Sequence, residues 1–423
     1  MTAATTEASQ RSHPAHRRVL RVLVAAQILS GAGLAAGITV GALLAKDMLG
    51  TTSLSGLPSA LFTIGSAASA VLVGRISQRL GRRAGLSLGY GVGALGSLGV
   101  VAAAASGNVP LLFASLFVYG AGTATNLQAR YAGADLAAAR HRGRAVSTVL
   151  VATTFGAVAG PNLATLTGDV AGAIGIPRLA GPFLLAALAY AAAGTVLWLL
   201  LRPDPLLTAR RLAAESADGS DADEQGRNPS GTAGGNGWIV LGATIMVLTQ
   251  LVMVAVMTMT PVHMQHHGHG VGAVGAVIAI HVAGMYLPSP LSGLLADRFG
   301  RLWLAVASAV TLLVSGLLAA LSPADSVGLL ALALALLGIG WNFGLVSGTA
   351  MITDSVPLAT RAKTQGTVDV AIAISGAGGG MASGLVMAAG DYATLAVVGG
   401  VLSLAIIPAV VFTARSRTAG QRP

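Results

Sequence analysis

Apolar runs of about twenty residues, separated by short polar segments, recur along the whole chain. A helix needs about 20 mostly apolar residues to cross the roughly 30 Å hydrocarbon core of a bilayer. The pattern therefore predicts twelve membrane-spanning helices, which we number spans 1 to 12. Their predicted limits are 20–45, 53–75, 84–105, 109–131, 146–168, 179–201, 238–262, 271–294, 302–321, 326–350, 364–388 and 392–413.

The longest polar interruption separates span 6 from span 7. It is rich in Gly, Ser, Asp and Glu, a composition typical of flexible linkers. The predicted domain plan is an N-terminal tail, an N-terminal six-span half, a flexible linker, a C-terminal six-span half and a C-terminal tail. In that order their limits are 1–19, 20–201, 202–237, 238–413 and 414–423.

Composition agrees with this plan. Hydrophobic residues make up 54% of the 423 positions and charged residues 9%, with a mean hydropathy of +0.75. Soluble domains carry roughly 25% charged residues. We therefore expect an all-α polytopic membrane protein. The apolar run behind the polar first residues is too long for the core of a signal peptide, so we expect span 1 to be retained.

The net charge of +10 does not predict a nucleic-acid partner, because the basic residues flank the spans. All but Lys46 and Arg178 lie toward the termini or the loops after even-numbered spans. Basic residues concentrate on the cytoplasmic side of membrane proteins. We therefore predict a multi-pass protein of the cell membrane with both termini in the cytoplasm, the lipid bilayer as its partner, and the turn between spans 7 and 8 outside.

Two loops carry a repeated motif, one after span 2 and one after span 8. The matching positions, 219 residues apart, are Gly74, Gln78, Arg79, Gly81 and Arg82 in the first copy and Gly293, Asp297, Arg298, Gly300 and Arg301 in the second. A weaker echo pairs Arg142-Gly143 with Gln365-Gly366, 223 residues apart. Two halves of parallel sense fit the internal symmetry of alternating-access carriers.

This loop pattern, on twelve spans divided by a central linker, resembles the major facilitator superfamily. The resemblance implies two six-helix bundles, a substrate path near the bilayer midplane, and gate loops that latch the cytoplasmic side through an acid near a helix end. Asp297 matches that acid, and Gln78 occupies its position in the first copy. We expect a carrier and not an enzyme, since the sequence shows no nucleophile–base or metal–hydroxide constellation.

Spans 7 and 8 carry candidate metal ligands. Met253 and Met257 are four residues apart, as are His281 and Met285, so each pair shares a helix face. With His267 as the tip of the hairpin, Met253 and His281 lie at equal depth. Thioether and imidazole ligands suit Cu(I) better than Mg, Ca or Mn. Without cysteine, no thiolate metal site is available.

The M-x-x-x-M and H-x-x-x-M spacings resemble those of the CcoA-type copper importers within the superfamily. The resemblance implies uptake of a copper ion as the transported substrate, with no permanently bound cofactor. Polar and thioether side chains of the turn could collect the ion outside; these are His263, Met264, His266, His267 and His269. We expect the protein to act as a monomer.

Two ionisable residues inside spans are candidates for proton coupling. His281 lies about ten residues inside span 8, and Asp369 lies about six residues into span 11. Ionisable groups inside spans are rare and usually functional. Asp369 could instead be an interfacial acid paired with Arg361 or Lys363.

Two alternatives remain open. One is a proton-coupled drug or metabolite exporter of the same fold, in which Met residues line a soft apolar pocket. Two features that such exporters resemble one another in are incomplete here. The arginine that they carry on span 4 is missing before Gly120. The run from Gly156 to Pro161 resembles the start of their glycine-rich signature, but the residues after Pro161 depart from it. The other alternative is a membrane metal receptor or assembly factor that does not transport.

Overall fold

The computed structural model describes residues 13–49, 57–218, 236–323 and 325–419. These residues form helices and short turns, with no strand in any of the four ranges. The outer parts of both predicted tails, the first residues of predicted span 2 and residues 219–235 of the predicted linker lie outside the described residues.

All twelve predicted spans are confirmed as helical in the residues that the structure describes. Spans 1 to 6 are His16–Leu49, Leu57–Leu80, Arg82–Ser106, Val109–Ala134, Arg142–Ala173 and Gly181–Leu200. Spans 7, 9, 10 and 11 are Asn236–His266, Arg301–Leu321, Val327–Ser355 and Arg361–Ala389. Spans 8 and 12 are each interrupted: Val271–Tyr286 continues as Ser289–Phe299, and Tyr392–Ser403 continues as Ile406–Ala419. Within the described residues, eight helical segments are long and apolar enough to cross a membrane by composition alone.

Several spans begin at a side-chain cap. The first N–H groups of a helix have no partner in the helix, so a side-chain oxygen commonly accepts from them. Asn108 accepts from Leu111 N–H before span 4, and Asp391 accepts from Thr394 N–H at 2.7 Å before span 12. This backbone hydrogen bond lowers the pKa of the exposed Asp391 carboxyl below its usual range.

The interruption of span 8 follows from two prolines, which cannot donate a backbone hydrogen bond. Pro288 and Pro290 stand at the break, and Asn342 of span 10 donates to Met285 O and Ser289 Oγ there, both at 2.7 Å. The span predicted at 271–294 is therefore present, as two consecutive helices joined at residues 287–288. In span 7 the helix continues through Pro261 to His266, so this proline does not end it.

The predicted linker begins with a helix that the sequence interpretation did not include. Pro205–Asp218, which we call the linker helix, follows Asp204. Asp204 Oδ1 accepts the N–H groups of Leu206 and Leu207, each at 3.0 Å. Leu206 is fully buried. The Asp204 cap and the burial of Leu206 thus stabilise a helix in a segment whose composition is polar.

The chain divides into two compact units. Unit 1 comprises residues 1–138, 148–229 and 357–373, and unit 2 comprises residues 139–147, 230–356 and 374–423. The core of unit 1 includes a group of aromatic rings with centroids 5.5 to 5.8 Å apart. These rings belong to Tyr90, Tyr119, Phe183 and Tyr190. The unit boundaries fall inside spans 5 and 11, so the first turns of span 11 pack in unit 1 and those of span 5 in unit 2.

Candidate functional site

The first copy of the repeated loop caps the start of span 11, within unit 1. Gln78 Oε1 accepts the N–H groups of Ala362 at 2.7 Å and Lys363 at 3.4 Å. Its Nε2 donates to two carbonyls of the preceding turn, at 2.6 and 3.1 Å. We call these contacts the first latch, formed by Gln78 with residues 358–363. Gln78 thus satisfies donors that the helix itself leaves free.

The second copy makes the equivalent cap at the start of span 5, within unit 2. Asp297 accepts the N–H of Gly143 on Oδ1 at 2.9 Å and that of Arg144 on Oδ2 at 3.0 Å. We call these contacts the second latch, formed by Asp297 with residues 143–144. A carboxylate is favoured at a helix N-terminus by the helix dipole, and a neutral oxygen also caps it. The two copies therefore both cap the start of a helix, the first with a neutral amide and the second with a carboxylate.

The first glycine of each copy allows the spans to approach. A Cβ at Gly74 would lie 2.8 Å from Ala362 O, and one at Gly293 would lie 2.6 Å from Gly143 O. Real Cβ atoms do not come this close to a backbone oxygen. A side chain at Gly74 would push span 2 away from span 11, and one at Gly293 would push span 8 away from span 5.

The last arginine of each copy forms a repeated ion pair. Arg82 Nε lies 2.8 Å from Asp135 Oδ2 at the end of span 4, and both side chains are fully buried. Arg301 Nη1 lies 2.6 Å from Asp354 Oδ2 at the end of span 10. Arg142 also pairs with Asp354. Asp135 and Asp354 are 219 residues apart, the same offset as the loops.

The other motif positions differ in their surroundings. Arg79 and Arg298 are exposed, and the Arg298 guanidinium lies 5.6 Å from the Phe299 ring. Gly81 and Gly300 have φ of 92° and 96°, a backbone region that favours glycine.

The predicted echo pairs Arg142 with Gln365, which lies one helical turn beyond the position equivalent to Arg142. The structural counterpart of Arg142 is Arg361, 219 residues later. Arg361 Nη1 lies 3.9 Å from Asp135, as Arg142 pairs with Asp354. Gln365 accepts instead from the Arg82 guanidinium.

Asp369 has a partner that the sequence interpretation missed. Arg130 Nη2 of span 4 donates to Asp369 Oδ1 at 2.8 Å, and Tyr131 OH donates to the same oxygen at 3.2 Å. Arg130 is fully buried and Asp369 is 3% exposed. The suggested pairing with Arg361 or Lys363 is therefore wrong. Arg130 lies on span 4 ten residues after Gly120, outside the stretch in which the exporter pattern places an arginine.

This buried pair has no counterpart in the repeat. The positions 219 residues from Arg130 and Asp369 are Thr349 and Leu150. Asp369 Oδ2 is buried without a hydrogen-bond partner. A charge in a low-dielectric interior is costly even when paired, so an unrepeated pair inside spans is a candidate functional position.

The two candidate copper ligands of span 8, His281 and Met285, lie where that span packs against span 10. His281 is fully buried, and its Nδ1 donates to Leu334 O at 2.9 Å. Its Nε2 is buried without a partner. A Cβ at Gly338 would lie 2.8 Å from Met285 N. Met285 is partly buried, and spans 7 and 8 contact span 10 far more than they contact each other.

The span 7 methionines are buried to different degrees. Met253 is 5% exposed and Met246 is 1% exposed, while Met257 is partly buried. Met246 packs directly onto Gly348 of span 10. In the ranges that the structure describes, no group of three or more His, Asp or Glu side chains could hold a metal ion. The shared copper site of Met253, Met257, His281 and Met285 stays a prediction.

The turn histidines pack as a surface cluster. His263 stacks on the Tyr392 ring at 4.3 Å between centroids, and His267 Nδ1 donates to His263 O at 2.8 Å. His266 and His267 are exposed and His269 is partly buried, while Met264 is fully buried. A role as outer collector stays a prediction for these five residues.

A cluster that the sequence analysis did not single out lies in unit 2. Trp341 Nε1 of span 10 donates to Gln250 Oε1 of span 7 at 2.7 Å. The Tyr286 ring of span 8 meets the Trp341 ring edge-on at 5.9 Å. A Cβ at Gly376 of span 11 would lie 3.2 Å from Gln250 Nε2. We call this group the midplane cluster, formed by Gln250, Tyr286, Trp341 and Gly376.

Each member of the midplane cluster lies near the middle of its span. Gln250 falls halfway along Asn236–His266, Trp341 halfway along Val327–Ser355 and Gly376 halfway along Arg361–Ala389. Tyr286 is the last residue before the interruption of span 8. Transporters bind their substrates near the midplane, commonly beside broken helices. A polar glutamine inside a span and the two nearby prolines were the available sequence signals.

The fold, the internal repeat and the mid-depth cluster define a membrane carrier. Profile comparison matches residues 23–270 and 240–423 to the Major Facilitator Superfamily. The chain belongs to this superfamily. It is a multi-pass integral membrane transporter and not an enzyme.

Two relatives and one solved structure illustrate the relationship. The chain is 58% identical to the uncharacterized MFS-type transporter YdeG of Bacillus subtilis, over 94% of this chain and 92% of the relative. It is 33% identical to the riboflavin transporter RfnT of Brucella anthropi, over 84% and 85%. The human organic anion transporter MFSD10 superposes with a TM-score of 0.74 at 16% identity, over 94% of this chain and all of that one. The comparisons support the superfamily and not the finer resemblance to CcoA-type copper importers.

Proposed function

We propose that the protein carries a small, flat, aromatic organic solute across the membrane by alternating access. The observation that supports this most is the midplane cluster, where two aromatic rings and an amide meet at mid-depth. Aromatic rings bind flat solutes by stacking or edge-on contact. A few placed polar groups in an apolar site then fix the orientation of the solute.

Flavins are the solute class that fits best. An isoalloxazine ring system is flat, aromatic and edged with hydrogen-bond donors and acceptors. Gln250 has an Nε2 that can donate, while its Oε1 is held by Trp341. RfnT, which is named for riboflavin, is a relative over most of the chain.

Counterflow in proteoliposomes tests this proposal without assuming a direction of transport. Vesicles with purified protein and unlabelled riboflavin inside should take up labelled riboflavin faster than protein-free vesicles. Lumichrome, which keeps the flat ring system, should compete, whereas ribitol, which supplies only the side chain, should not. Competition by ribitol alone, or no exchange at all, would contradict a flat-ring site. Exchange would also exclude a receptor that does not transport.

We infer that protons drive this transport and that Asp369 carries them. Asp369 has one paired oxygen and one buried oxygen without a partner. The partnered oxygen holds the side chain against Arg130, and the other is available to a proton. His281, whose Nε2 is also unpartnered, stays a second candidate for proton coupling.

The proposed orientation places both termini and both latches on the cytoplasmic side. It is supported by the basic residues, which concentrate at the ends of even-numbered spans. The His263–His269 turn is then outside. The labelling experiment described below tests this orientation as well.

Copper uptake is a second candidate, favoured by the state of His281. Because its Nδ1–H donates to Leu334 O, the proton is fixed on Nδ1 and the Nε2 lone pair is free. Metal-binding histidines are commonly held in this way through the second ring nitrogen. Met253 and Met285 would add soft ligands.

If copper is carried, Met253→Leu and His281→Ala should each lower copper accumulation in cells by about tenfold or more. Met253→Leu keeps size and apolarity, so a packing role would tolerate it at a cost below about 1.5 kcal/mol. Met259→Ala, off the ligand face, is the matched control and should accumulate copper normally. Equal copper in all three variants at equal protein levels would exclude copper and leave the organic solute.

A further inference from the structure

The linker helix and its cap Asp204 make two contacts with the first copy of the repeated loop and one with the turn before span 11. Asp204 Oδ2 accepts the backbone N–H of Arg83 at 2.7 Å. The Arg210 guanidinium donates to Gln78 O at 2.8 Å and to Leu358 O at 3.2 Å. All of these residues belong to unit 1.

Arg210 therefore bridges the two segments that the first latch joins. Gln78 ends span 2, and Leu358 precedes span 11. Leu358 O also accepts from Gln78 Nε2 at 3.1 Å. Of the two arginines in the linker helix, Arg210 donates hydrogen bonds to both sides of the latch. The neighbouring Arg211 is 81% exposed and pairs with Glu215 on its own helix.

The loop glycine supports the same attachment. At Gly81 a side chain would collide with the Asp204 carboxylate, because Asp204 approaches the backbone directly. At Gly300, which has the same backbone conformation, the corresponding space is open. The first loop copy is thus shaped to receive the linker helix, and the second copy is not.

The first latch also lacks the charge of the second. Gln78 caps span 11 with a neutral oxygen, whereas Asp297 caps span 5 with a carboxylate. Charge-assisted hydrogen bonds are stronger than neutral ones. Arg210, which lies outside the repeated loops, supplies the first latch with hydrogen bonds from a charged donor.

We propose that the linker helix is a working part of the first latch and that Arg210 is its positioning residue. Arg210 holds residues 78 and 358 together while the latch is closed, and it releases them when spans 2 and 11 separate. These spans come from different six-span halves of the sequence. The proposal rests on alternating access, but it needs no particular substrate.

Cysteine labelling tests the proposal in a chain that has no cysteine of its own. Ala362 is fully buried beneath the Gln78 cap, so Ala362→Cys should react slowly with an impermeant maleimide in inside-out vesicles. Adding Arg210→Ala should raise the labelling rate by about tenfold, since it removes two bonds from a charged donor. Arg210→Lys, which keeps a charged donor, should keep the slow rate. Arg211→Ala is the matched control and should also stay slow.

Two outcomes would overturn the proposal. One is equal labelling rates in the Arg210→Ala and Arg211→Ala variants. The other is fast labelling in Arg210→Lys as well as Arg210→Ala with unchanged thermal stability, since a charged donor would then not be what holds the latch. No solute is added, so failure here is distinct from failure of the flavin proposal. Right-side-out vesicles should show no labelling at position 362, and labelling there would reverse the proposed orientation.

Discussion

Replacing Trp341 with alanine is expected to lower riboflavin exchange by at least about tenfold, the largest effect of any change in the midplane cluster. The substitution removes a large ring from the site and leaves Gln250 Oε1 without its donor. Loss of a buried aromatic contact and of a hydrogen-bond partner each costs on the order of 1 kcal/mol or more. Counterflow in proteoliposomes measures the effect.

Two further variants separate binding from folding. Trp341→Phe keeps a ring but removes the N–H, so we expect intermediate exchange. Trp303→Ala is the matched control, because Trp303 of span 9 is half exposed and should exchange riboflavin normally. Normal exchange by Trp341→Ala would remove the midplane cluster as the site.

Asp369→Asn is expected to abolish accumulation of solute driven by a pH gradient while leaving counterflow exchange intact. An amide retains the shape of the carboxyl and can accept from Arg130, but it cannot bind and release a proton at neutral pH. Exchange needs no net proton movement, whereas accumulation does. Uptake into proteoliposomes with and without an imposed pH gradient distinguishes the two.

Controls address the charge that this substitution leaves behind. Removing one partner of a buried ion pair costs about 3–5 kcal/mol, so the single variant could fold poorly. The double variant Arg130→Gln with Asp369→Asn removes both charges and should fold while remaining uncoupled. Asp169→Asn breaks an exposed pair with Arg178 and should behave as wild type. Gradient-driven accumulation by folded Asp369→Asn would exclude Asp369 as the proton carrier.

The spans could be predicted because each one must bury about twenty apolar residues in lipid. This requirement is local, so a run such as 84–105 identifies span 3, observed as Arg82–Ser106. The linker helix was missed for the opposite reason. Its order depends on the Asp204 cap and the burial of Leu206, and neither is visible in a polar composition.

The sequence predicted the positions of the two latches but not the helix-capping contacts that form them. The repeat located Gln78 and Asp297, but only Asp297 matches the acid that the resemblance implies. The structure shows that capping the start of span 11 needs an acceptor oxygen, which an amide provides. The Arg130–Asp369 pair joins positions 239 residues apart, and no local pattern indicates such a partner.

The midplane cluster could not be predicted because sequence gives the position of Trp341 along its span but not which neighbours it faces. Conversely, helical spacing correctly put Met253 and Met257 on related turns but could not say which span they meet. Spans 7 and 8 are neighbours in sequence, yet span 10 is the main contact of both. Adjacency in sequence therefore does not identify the main packing partner of either span.

The interruption divides span 8 into two helical rods that meet at one joint, about which a bend of the span would pivot. One rod ends at Tyr286 and the other carries Asp297, while Asn342 fastens the joint to span 10. Trp341 adjoins this fulcrum, and Asp354 lies thirteen residues farther along span 10, about 20 Å away at the helical rise. Because span 10 is one uninterrupted helix, a tilt of that helix about this fulcrum would displace Asp354 more than Trp341.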